Sequence, residues 1–261
     1  MTFSDLVAKV GKSPKVTFGR LNLLKELSAL LVRPIGRGSL DEVIFQLDVL
    51  HKLRRADLPV INHPSAIEKA VDKYYALAVL EERGIPIPKT VITESIPDAL
   101  EAFKAFDNDA IVKPVFGSRG IGAARISDVD VAERVFRTLR FYRHVLYVQE
   151  FVPHGKSDIR TFVVGGQVVA AMRRVSNSWK TNVSQGASTV KTDLPAETEK
   201  LALDAANAIG CEIAGVDIME NRDGMFVNEV NSQPGWRGLQ TTTKVSIADQ
   251  IAAYVLSKAR P

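Results

Sequence analysis

The chain has 261 residues, of which 46% are apolar and 25% charged, a balance typical of a globular protein with a sizeable core. No apolar run reaches the roughly 18 residues of a membrane span, and no secretory signal is apparent at the N-terminus. The single cysteine, Cys211, excludes an internal disulfide framework and fits a reducing cytoplasm. A net charge of +4 suits phosphate- or carboxylate-bearing small substrates, whereas no motif favours nucleic acid. We therefore expect a cytoplasmic protein without membrane or nucleic-acid partners.

Residues 1–64 predict a small N-terminal α/β unit. Short strands are predicted at residues 15–18, 30–35 and 59–62, with a helix at 22–29. Ser39, followed three residues later by Glu42, predicts a capping box, and the helix that it opens carries apolar residues at helical spacing. Two or three strands with such helices make about half of a doubly wound sheet.

A glycine-rich loop follows an apolar strand that ends at Lys113. The glycines are Gly117, Gly120 and Gly122, and a second strand leaves the loop. The spacing fits neither a Walker A loop nor a dinucleotide fingerprint, since both need a following helix. A glycine loop between two strands can fold over phosphates and expose backbone N–H groups to them. An ordinary turn is the alternative, and Lys113 with Arg119 favours phosphate binding.

A polar, cationic loop is predicted after a second hairpin, whose turn is Gly165-Gly166. The stretch from Arg173 to residue 187 contains Arg174, Trp179 and Lys180 among polar residues and glycine. This composition is typical of a functional loop, because a tryptophan is rarely exposed without a role. The alternative is an ordinary solvated loop.

A third hairpin is predicted near the C-terminus, where two apolar runs flank a turn that closes on Gly224. A three-residue loop at 222–224 would place Asp217 opposite Glu229, and Asn231 would lie on the same face as Glu229. Oxygen-bearing side chains of this kind suit Mg²⁺, especially when phosphates share the ion. The alternative is a solvated strand face, but the acids interrupt apolar runs and thus favour a metal site.

Taken together and in order, these segments resemble an ATP-grasp ligase of the RimK-like branch, which adds glutamate or related amino acids. The resemblance runs from about Pro34 to the C-terminus and rests on six segments: Asp72-Lys73, Lys113 with the glycine loop 117–122, 149–152 (Gln-Glu-Phe-Val), 158–160 (Asp-Ile-Arg), 215–217 (Gly-Val-Asp) and 228–235 (Asn-Glu-Val-Asn-Ser-Gln-Pro-Gly). It implies an α/β (α+β) ATP-grasp fold in which two α+β subdomains, residues 65–152 and 153–261, hold ATP between them. Residues 1–64 would form a truncated Rossmann-like unit.

The resemblance also implies roles for individual residues. ATP binding is implied for Lys73, Lys113, Gly117, Ser118, Gly120, Gly122, Glu150, Phe151 and Asp158. Contacts to the γ-phosphate, the acyl group or a carboxylate are implied for Arg160, Arg174, Lys180, Thr181 and Asn182. Mg²⁺ coordination is implied for Asp217, Glu229 and Asn231, with two ions expected and Mn²⁺ as an alternative metal. The family usually has arginine where this chain has Lys180.

The implied function is an ATP-dependent carboxylate–amine ligase that forms an amide through an acylphosphate. Glutamate is the favoured amino acid, and the carboxylate-bearing acceptor is a coenzyme of the pterin or deazaflavin type or a protein tail. Family members carry a longer N-terminal domain, so either that domain is trimmed here or another subunit supplies part of the acceptor site, in which case a homodimer is expected. The alternative is a nucleotide-binding ATP-grasp module without ligase activity, acting as a regulatory or partner subunit.

Overall fold

The N-terminal unit begins with a small antiparallel sheet. The computed structural model describes residues 2–12, 15–34, 38–117 and 120–260. The unit opens with a 3₁₀ turn at Phe3–Asp5, followed by β1 (Leu6–Lys9), β2 (Lys15–Phe18), β3 (Leu21–Asn22) and α1 (Leu23–Glu26). The three strands pair antiparallel in the order β1-β2-β3. The helix predicted at 22–29 is thus only four residues long, and the β1 strand was not predicted.

A parallel strand–helix–strand unit follows the antiparallel sheet. It consists of β4 (Leu30–Leu31), α2 (Leu40–Arg55) and β5 (Val60–Ile61), with β4 and β5 paired in parallel. The predicted capping box is confirmed, because the Ser39 hydroxyl accepts from the Glu42 N–H and the Glu42 carboxylate accepts from the Ser39 N–H. Leu50 and Leu53 of α2 pack in the core beneath these strands. The connection is that of a doubly wound sheet, and its Rossmann-like character stays a prediction.

The central part of the chain forms a four-stranded antiparallel sheet covered by two helices. In chain order the elements are α3 (Pro64–Val71), α4 (Lys73–Glu82), β6 (Thr90–Thr93), α5 (Ile96–Ala105), β7 (Ala110–Val112), β8 (Ala124–Ile126), α6 (Val129–Phe141) and β9 (Leu146–Glu150). The strand order is β6-β9-β7-β8. Phe103 of α5 and Phe136 of α6 are fully buried against this sheet. Lys113 therefore leaves the end of β7 next to β9.

The C-terminal part is built on a five-stranded antiparallel sheet. Its elements are β10 (Ser157–Val164), β11 (Gln167–Val175), a 3₁₀ turn at Val183–Gln185, β12 (Ser188–Lys191), α7 (Ala196–Ile209), β13 (Ile213–Asn221), β14 (Gly224–Asn231), α8 (Arg237–Gln240) and α9 (Ile247–Lys258). The strand order is β12-β11-β10-β13-β14. Among the residues described, no helix is long and apolar enough to cross a membrane.

The two faces of the five-stranded sheet have different surroundings. Alternate residues of β13, including Val216 and Ile218, pack with α7 in the largest core cluster. On the opposite face, Phe162 and Met172 pack with α9 at one end of the sheet. The other end of that face carries buried polar side chains such as Asp217. This end faces the central sheet and holds the site described below.

In the hairpin of β13 and β14 the predicted loop is wrong, but the predicted pairing is right. Asn221 pairs with Gly224, so the loop is two residues long and not the predicted 222–224. A bulge then adds one residue on β14 between the pairs Ile218–Val227 and Asp217–Glu229. The expected pairing of Asp217 with Glu229 is confirmed, because the bulge compensates for the shorter loop.

Candidate active site

A cleft between the central and C-terminal sheets brings most of the predicted site residues together. Residues from both subdomains and from the glycine loop face this cleft. They are Lys73, Ile111, Lys113, Pro114, Gly117, Gly120, Ile121, Ala123, Gln149, Glu150, Phe151, Val152, His154, Asp158, Arg174, Trp179, Lys180, Thr181, Asn182, Asp217, Met219, Asn228 and Glu229. Three predicted residues, Gly122, Arg160 and Asn231, do not face it. Ser118 and its neighbour Arg119 lie outside the described residues.

Buried ion pairs organise the floor of the cleft. Arg174 of β11 donates through two guanidinium nitrogens to Asp158 of β10, and it also lies 3.2 Å from Oδ1 of Asp217. Thr181 donates to the same Asp158 carboxylate at 2.7 Å. Burial alone would lower the pKa of Arg174, but Asp217 and Asp158 outweigh it and raise that pKa. Asp158 therefore holds Arg174 and Thr181 in place, and both of its oxygens accept from protein groups.

Asp217 sits where the two arginines meet. Arg160 of β10 lies opposite Asp217 of β13. Its Nε is 2.5 Å from Oδ1 of Asp217, and its Nη2 is 3.1 Å from Oδ2. Oδ1 is buried, and although the arginines lie close by, it accepts no hydrogen bond of good geometry from the described residues. A buried carboxylate oxygen left in this way suits a cation, which fits the metal role predicted for Asp217.

Glu229 lies opposite Asp217 in the hairpin and, unlike Asp217, has no ion-pair partner among the described residues. Within the described part of the chain, Glu229 makes no ion pair within 4.0 Å. No group of three His, Cys, Asp or Glu side chains in the same residues could hold a metal alone. Two carboxylates are the number expected where phosphate oxygens complete the coordination of Mg²⁺. Asn231 donates its amide to the Gly215 carbonyl at 3.5 Å.

Two lysines form the opposite wall of the cleft. Lys73 donates to the carbonyls of Gly117 at 2.7 Å and Val115 at 3.2 Å, so it holds the base of the glycine loop. Lys113 donates to Gln149 at 3.1 Å and lies 4.9 Å from the centre of the Tyr147 ring. Burial lowers the pKa of both lysines, although the charge of Glu229 opposes this. Each lysine is thus a cation that a phosphate would stabilise.

The glycine loop reaches across the cleft to the polar loop. Gly120 has a φ of +68°, and a Cβ there would collide with the side chain of Asn182. Gly122 has a φ of +81° and packs on Pro114, as Gly117 does. The two predicted loops, separated by about sixty residues in sequence, therefore touch through Gly120 and Asn182. Lys180 lies 5.1 Å from the centre of the Trp179 ring.

The segment that joins the two sheets, Glu150 and Phe151, is held by contacts within the protein. The Glu150 carboxylate accepts from the Lys89 N–H at 2.8 Å, and the Phe151 N–H donates to the Asp109 carbonyl at 3.2 Å. The Phe151 ring stacks under the Arg125 guanidinium at 3.5 Å. The nucleotide contacts expected of Glu150 and Phe151 stay predictions.

Several cleft residues were not predicted. Ile111 lies two residues before Lys113, and Met219 lies two residues after Asp217, so period-two alternation places each on the predicted residue's face. Asn228 faces the cleft together with its neighbour Glu229, because the bulge breaks that alternation. The alternation could have identified the first two residues, but the bulge left no signal in the sequence.

A cleft between two α+β sheets, with a glycine loop, two half-buried lysines and an acidic floor, defines a site for nucleotide-dependent phosphoryl transfer. Residues 70–255 match the RimK-like ATP-grasp domain, and the chain therefore belongs to the RimK-like ATP-grasp family. This confirms the family and the fold class predicted from the sequence.

Relatives of similar length sharpen this assignment. The chain is 38% identical over 263 aligned positions to the tetrahydromethanopterin:alpha-L-glutamate ligase of Methanocaldococcus jannaschii, covering 98% of this chain and 88% of the relative. It is 36% identical to the enzyme of the same name from Methanococcus maripaludis, covering 90% of this chain and 81% of that one. Both relatives are ligases, in agreement with the predicted class of enzyme.

Solved structures share the fold. The ATP-grasp ligase PsnB in complex with its minimal precursor superposes with a TM-score of 0.75 at 21% identity, covering 98% of this chain and 87% of PsnB. A RimK domain protein from Sphaerobacter thermophilus superposes with a TM-score of 0.67 at 23% identity, covering 81% and 77% of the two chains. At this identity, the comparison shows the common architecture.

Proposed function

We propose that this protein is an ATP-dependent α-L-glutamate ligase that joins glutamate to a carboxylate of a pterin coenzyme of the tetrahydromethanopterin type. The observation that carries the proposal is identity of 38%, 34% and 36% to three ligases of that name over 98%, 89% and 90% of this chain. The cleft supports it, since cationic and acidic walls face each other across a space between two sheets. Among the acceptors expected from the sequence, the relatives favour the pterin.

The first step is attack of the acceptor carboxylate on the γ-phosphate of ATP, which gives an acylphosphate and ADP. Lys73 and Lys113 would neutralise phosphate charge, and the loop around Gly117 and Gly120 would cover the phosphates. Phosphoryl transfer needs alignment and charge neutralisation more than a covalent nucleophile. The ion pairs on the floor, centred on Arg174, fix the geometry before substrate arrives.

In the second step the amino group of glutamate attacks the acyl carbon, and inorganic phosphate leaves with the carbon–oxygen bonding pair. The amine loses a proton as the amide forms. Lys180 and Asn182 lie on the polar loop that faces the cleft, and their donors would stabilise the negative oxygens of the acyl group and the departing phosphate.

A divalent metal fits the acidic floor. Asp217 and Glu229 would hold Mg²⁺, and Asn231 would join them after its side chain turns from the Gly215 carbonyl. When bound, Mg²⁺ would neutralise negative charge on the phosphates of ATP. We propose two ions, and Mn²⁺ is the alternative metal.

The proposal is tested by ADP release in an enzyme-coupled assay with a panel of amino acids and carboxylate acceptors. We expect release that requires both L-glutamate and tetrahydromethanopterin, and mass spectrometry should show the acceptor heavier by one glutamyl residue. Tight ATP binding without substrate-stimulated ADP release would instead support the nucleotide-binding module. Light scattering of the purified protein tests the expected homodimer.

A further inference from the structure

A second cationic cluster lies next to the nucleotide cleft but outside it. It comprises Arg33 after β4, Arg160 on β10, and the turn Pro234–Trp236 after β14, none of which faces the cleft. These residues come from three distant parts of the chain. Their meeting point is at the carboxyl ends of the parallel strands β4 and β5, which is where ligands bind in sheets of this connection.

The position of the cluster is fixed by Asn62, the residue after β5. Asn62 is 1% exposed, and its amide donates to the Ile213 carbonyl at 2.7 Å and to the Ser232 carbonyl at 2.5 Å. Its side-chain oxygen accepts from the N–H groups of Glu212 and Ile213. The carboxyl edge of the N-terminal unit is therefore bonded directly to the segment that follows Asn231.

Arg33 is a cation held over an aromatic ring. Its guanidinium lies 4.4 Å from the centre of the Trp236 ring and donates to the Pro234 carbonyl at 3.2 Å. Among the described residues it has no carboxylate within 4.0 Å, unlike Arg160, which pairs with Asp217. A guanidinium oriented by an aromatic face and a carbonyl still has donors left for an anion.

Arg160 connects the cluster to the floor of the cleft, because it pairs with Asp217. A Cβ at Gly215 would collide with Nη1 of Arg160 and would lie 2.9 Å from Cβ of Pro234, so these two groups are side by side. Beside Gly235, the space into which a Cβ would point is open. Pro234 thus contacts Arg33 and lies beside Arg160, on a turn whose next residue, Gly235, has open space beside it.

We propose that Arg33 and Trp236 form an acceptor subsite, in which Arg33 binds a second anionic group of the acceptor next to the carboxylate that ATP activates. The inference rests on the proposed function and adds a specificity-determining residue to it. ATP binds in the cleft, which Arg33 does not line, and we assign Arg33 to the acceptor and not to glutamate, so Arg33 should affect the acceptor alone. The subsite would select acceptors whose two anionic groups are close together.

The experiment compares the wild-type protein with Arg33→Gln and Arg33→Lys in steady-state kinetics with tetrahydromethanopterin. A charge-assisted hydrogen bond predicts that R33Q lowers kcat/KM for the acceptor by roughly 10- to 100-fold, with KM for ATP and glutamate unchanged. R33K should recover part of the loss because it keeps the charge. Arg137→Gln is the matched control, since Arg137 is an exposed arginine on α6 that pairs with Glu133.

A modified acceptor separates binding from a structural effect. When the non-reacting anionic groups of the acceptor are methylated, wild type should lose about as much kcat/KM as R33Q loses with the native acceptor. R33Q should then treat native and methylated acceptors alike. If R33Q still discriminates between them as wild type does, or if it raises KM for ATP equally, the subsite is disproved. A wild-type protein that is inactive with the acceptor would instead refute the proposed function.

Discussion

The two walls of the nucleotide cleft carry opposite charges, and they differ in how those charges are balanced. On the floor, Asp158 and Asp217 are buried and paired with Arg174 and Arg160. On the other wall, Lys73 and Lys113 have only neutral hydrogen-bond partners among the described residues. The two buried aspartates of the floor therefore have counter-charges without substrate, whereas the lysine wall lacks an anion.

This difference assigns separate tasks to the two walls. A preorganised floor needs no rearrangement when charge develops in the transition state, and such preorganisation is often the largest contribution to catalysis. The lysine wall gains its counter-charge only from the phosphates, so substrate binding and closure of the glycine loop should depend on it. Glu229 is the exception on the floor, since it is an acid without an ion-pair partner among the described residues.

The largest effect is expected from removing the central arginine of the floor. Arg174→Met leaves Asp158 and Asp217 with fewer counter-charges in a buried place, and we expect a loss of about 3–5 kcal/mol in the free energy of unfolding. Urea denaturation measures it. Arg173→Met is the control, because the neighbouring Arg173 pairs with Glu220 at a half-buried site and should contribute under about 1 kcal/mol. Equal losses in the two variants would contradict a preorganised floor.

Changing the unpaired acid should impair catalysis and spare stability. Glu229→Gln removes a charge that forms no ion pair with the described residues, so we expect turnover to fall by roughly 10²–10³-fold with little change in melting temperature. ADP release and thermal unfolding give the two readouts. Glu220→Gln on the same hairpin serves as the control, and it should keep near-normal turnover. Normal turnover in E229Q would exclude Glu229 as a metal ligand.

The contact between the glycine loop and the polar loop predicts a smaller effect on ATP use. Alanine at position 120 would have a positive φ and would collide with Asn182, and we expect kcat/KM for ATP to fall roughly tenfold. Gly155→Ala is the matched control, because Gly155 has a φ of +61° with no atom within 4 Å of a Cβ. Both variants should lose a similar 1–2 kcal/mol or so of stability. An equal effect of both on ATP kinetics would show that backbone strain alone is responsible.

The smallest expected effect is the uptake of protons when ATP binds, which reports on the protonation of Lys113. Burial lowers the pKa of Lys113 below its ordinary 10.5, so a fraction of it is neutral at alkaline pH in the free protein. Bound phosphates favour the charged form and raise that pKa again, so ATP binding takes up protons and weakens as pH rises through the lowered pKa. Calorimetry at pH about 9 in buffers of different ionisation enthalpy measures this uptake. Lys113→Met should reduce it, and unchanged uptake would mean that Lys113 does not bind phosphate.

Local sequence pattern predicted the main hairpins and the pairing of Asp217 with Glu229, but it missed β1 and made the first helix too long. The capping box at Ser39 and the alternation of the hairpins are signals contained within a few residues. The bulge next to Asp217 has no such local signal. The predicted pairing of Asp217 with Glu229 was correct because the loop was predicted one residue too long and the bulge was missed, so the two errors cancel.

The arrangement of the arginines could not be derived in the same way. Whether Arg174 pairs with Asp158, and whether Arg33 meets Trp236, depends on contacts between segments far apart in sequence. Hydrophobic periodicity carries no information about such contacts. The resemblance to ATP-grasp ligases supplied the residues of the site, and the fold showed which of their charges are already paired.

The most direct measurement follows a heavy oxygen isotope from the acceptor. Activation of the acceptor carboxylate as an acylphosphate requires that one carboxylate oxygen leaves with the phosphate when the amide forms. With the carboxylate labelled, and with ATP and L-glutamate present, we predict one labelled oxygen in the inorganic phosphate for each glutamyl group added. Glutamylated product formed with unlabelled phosphate would contradict the proposed mechanism.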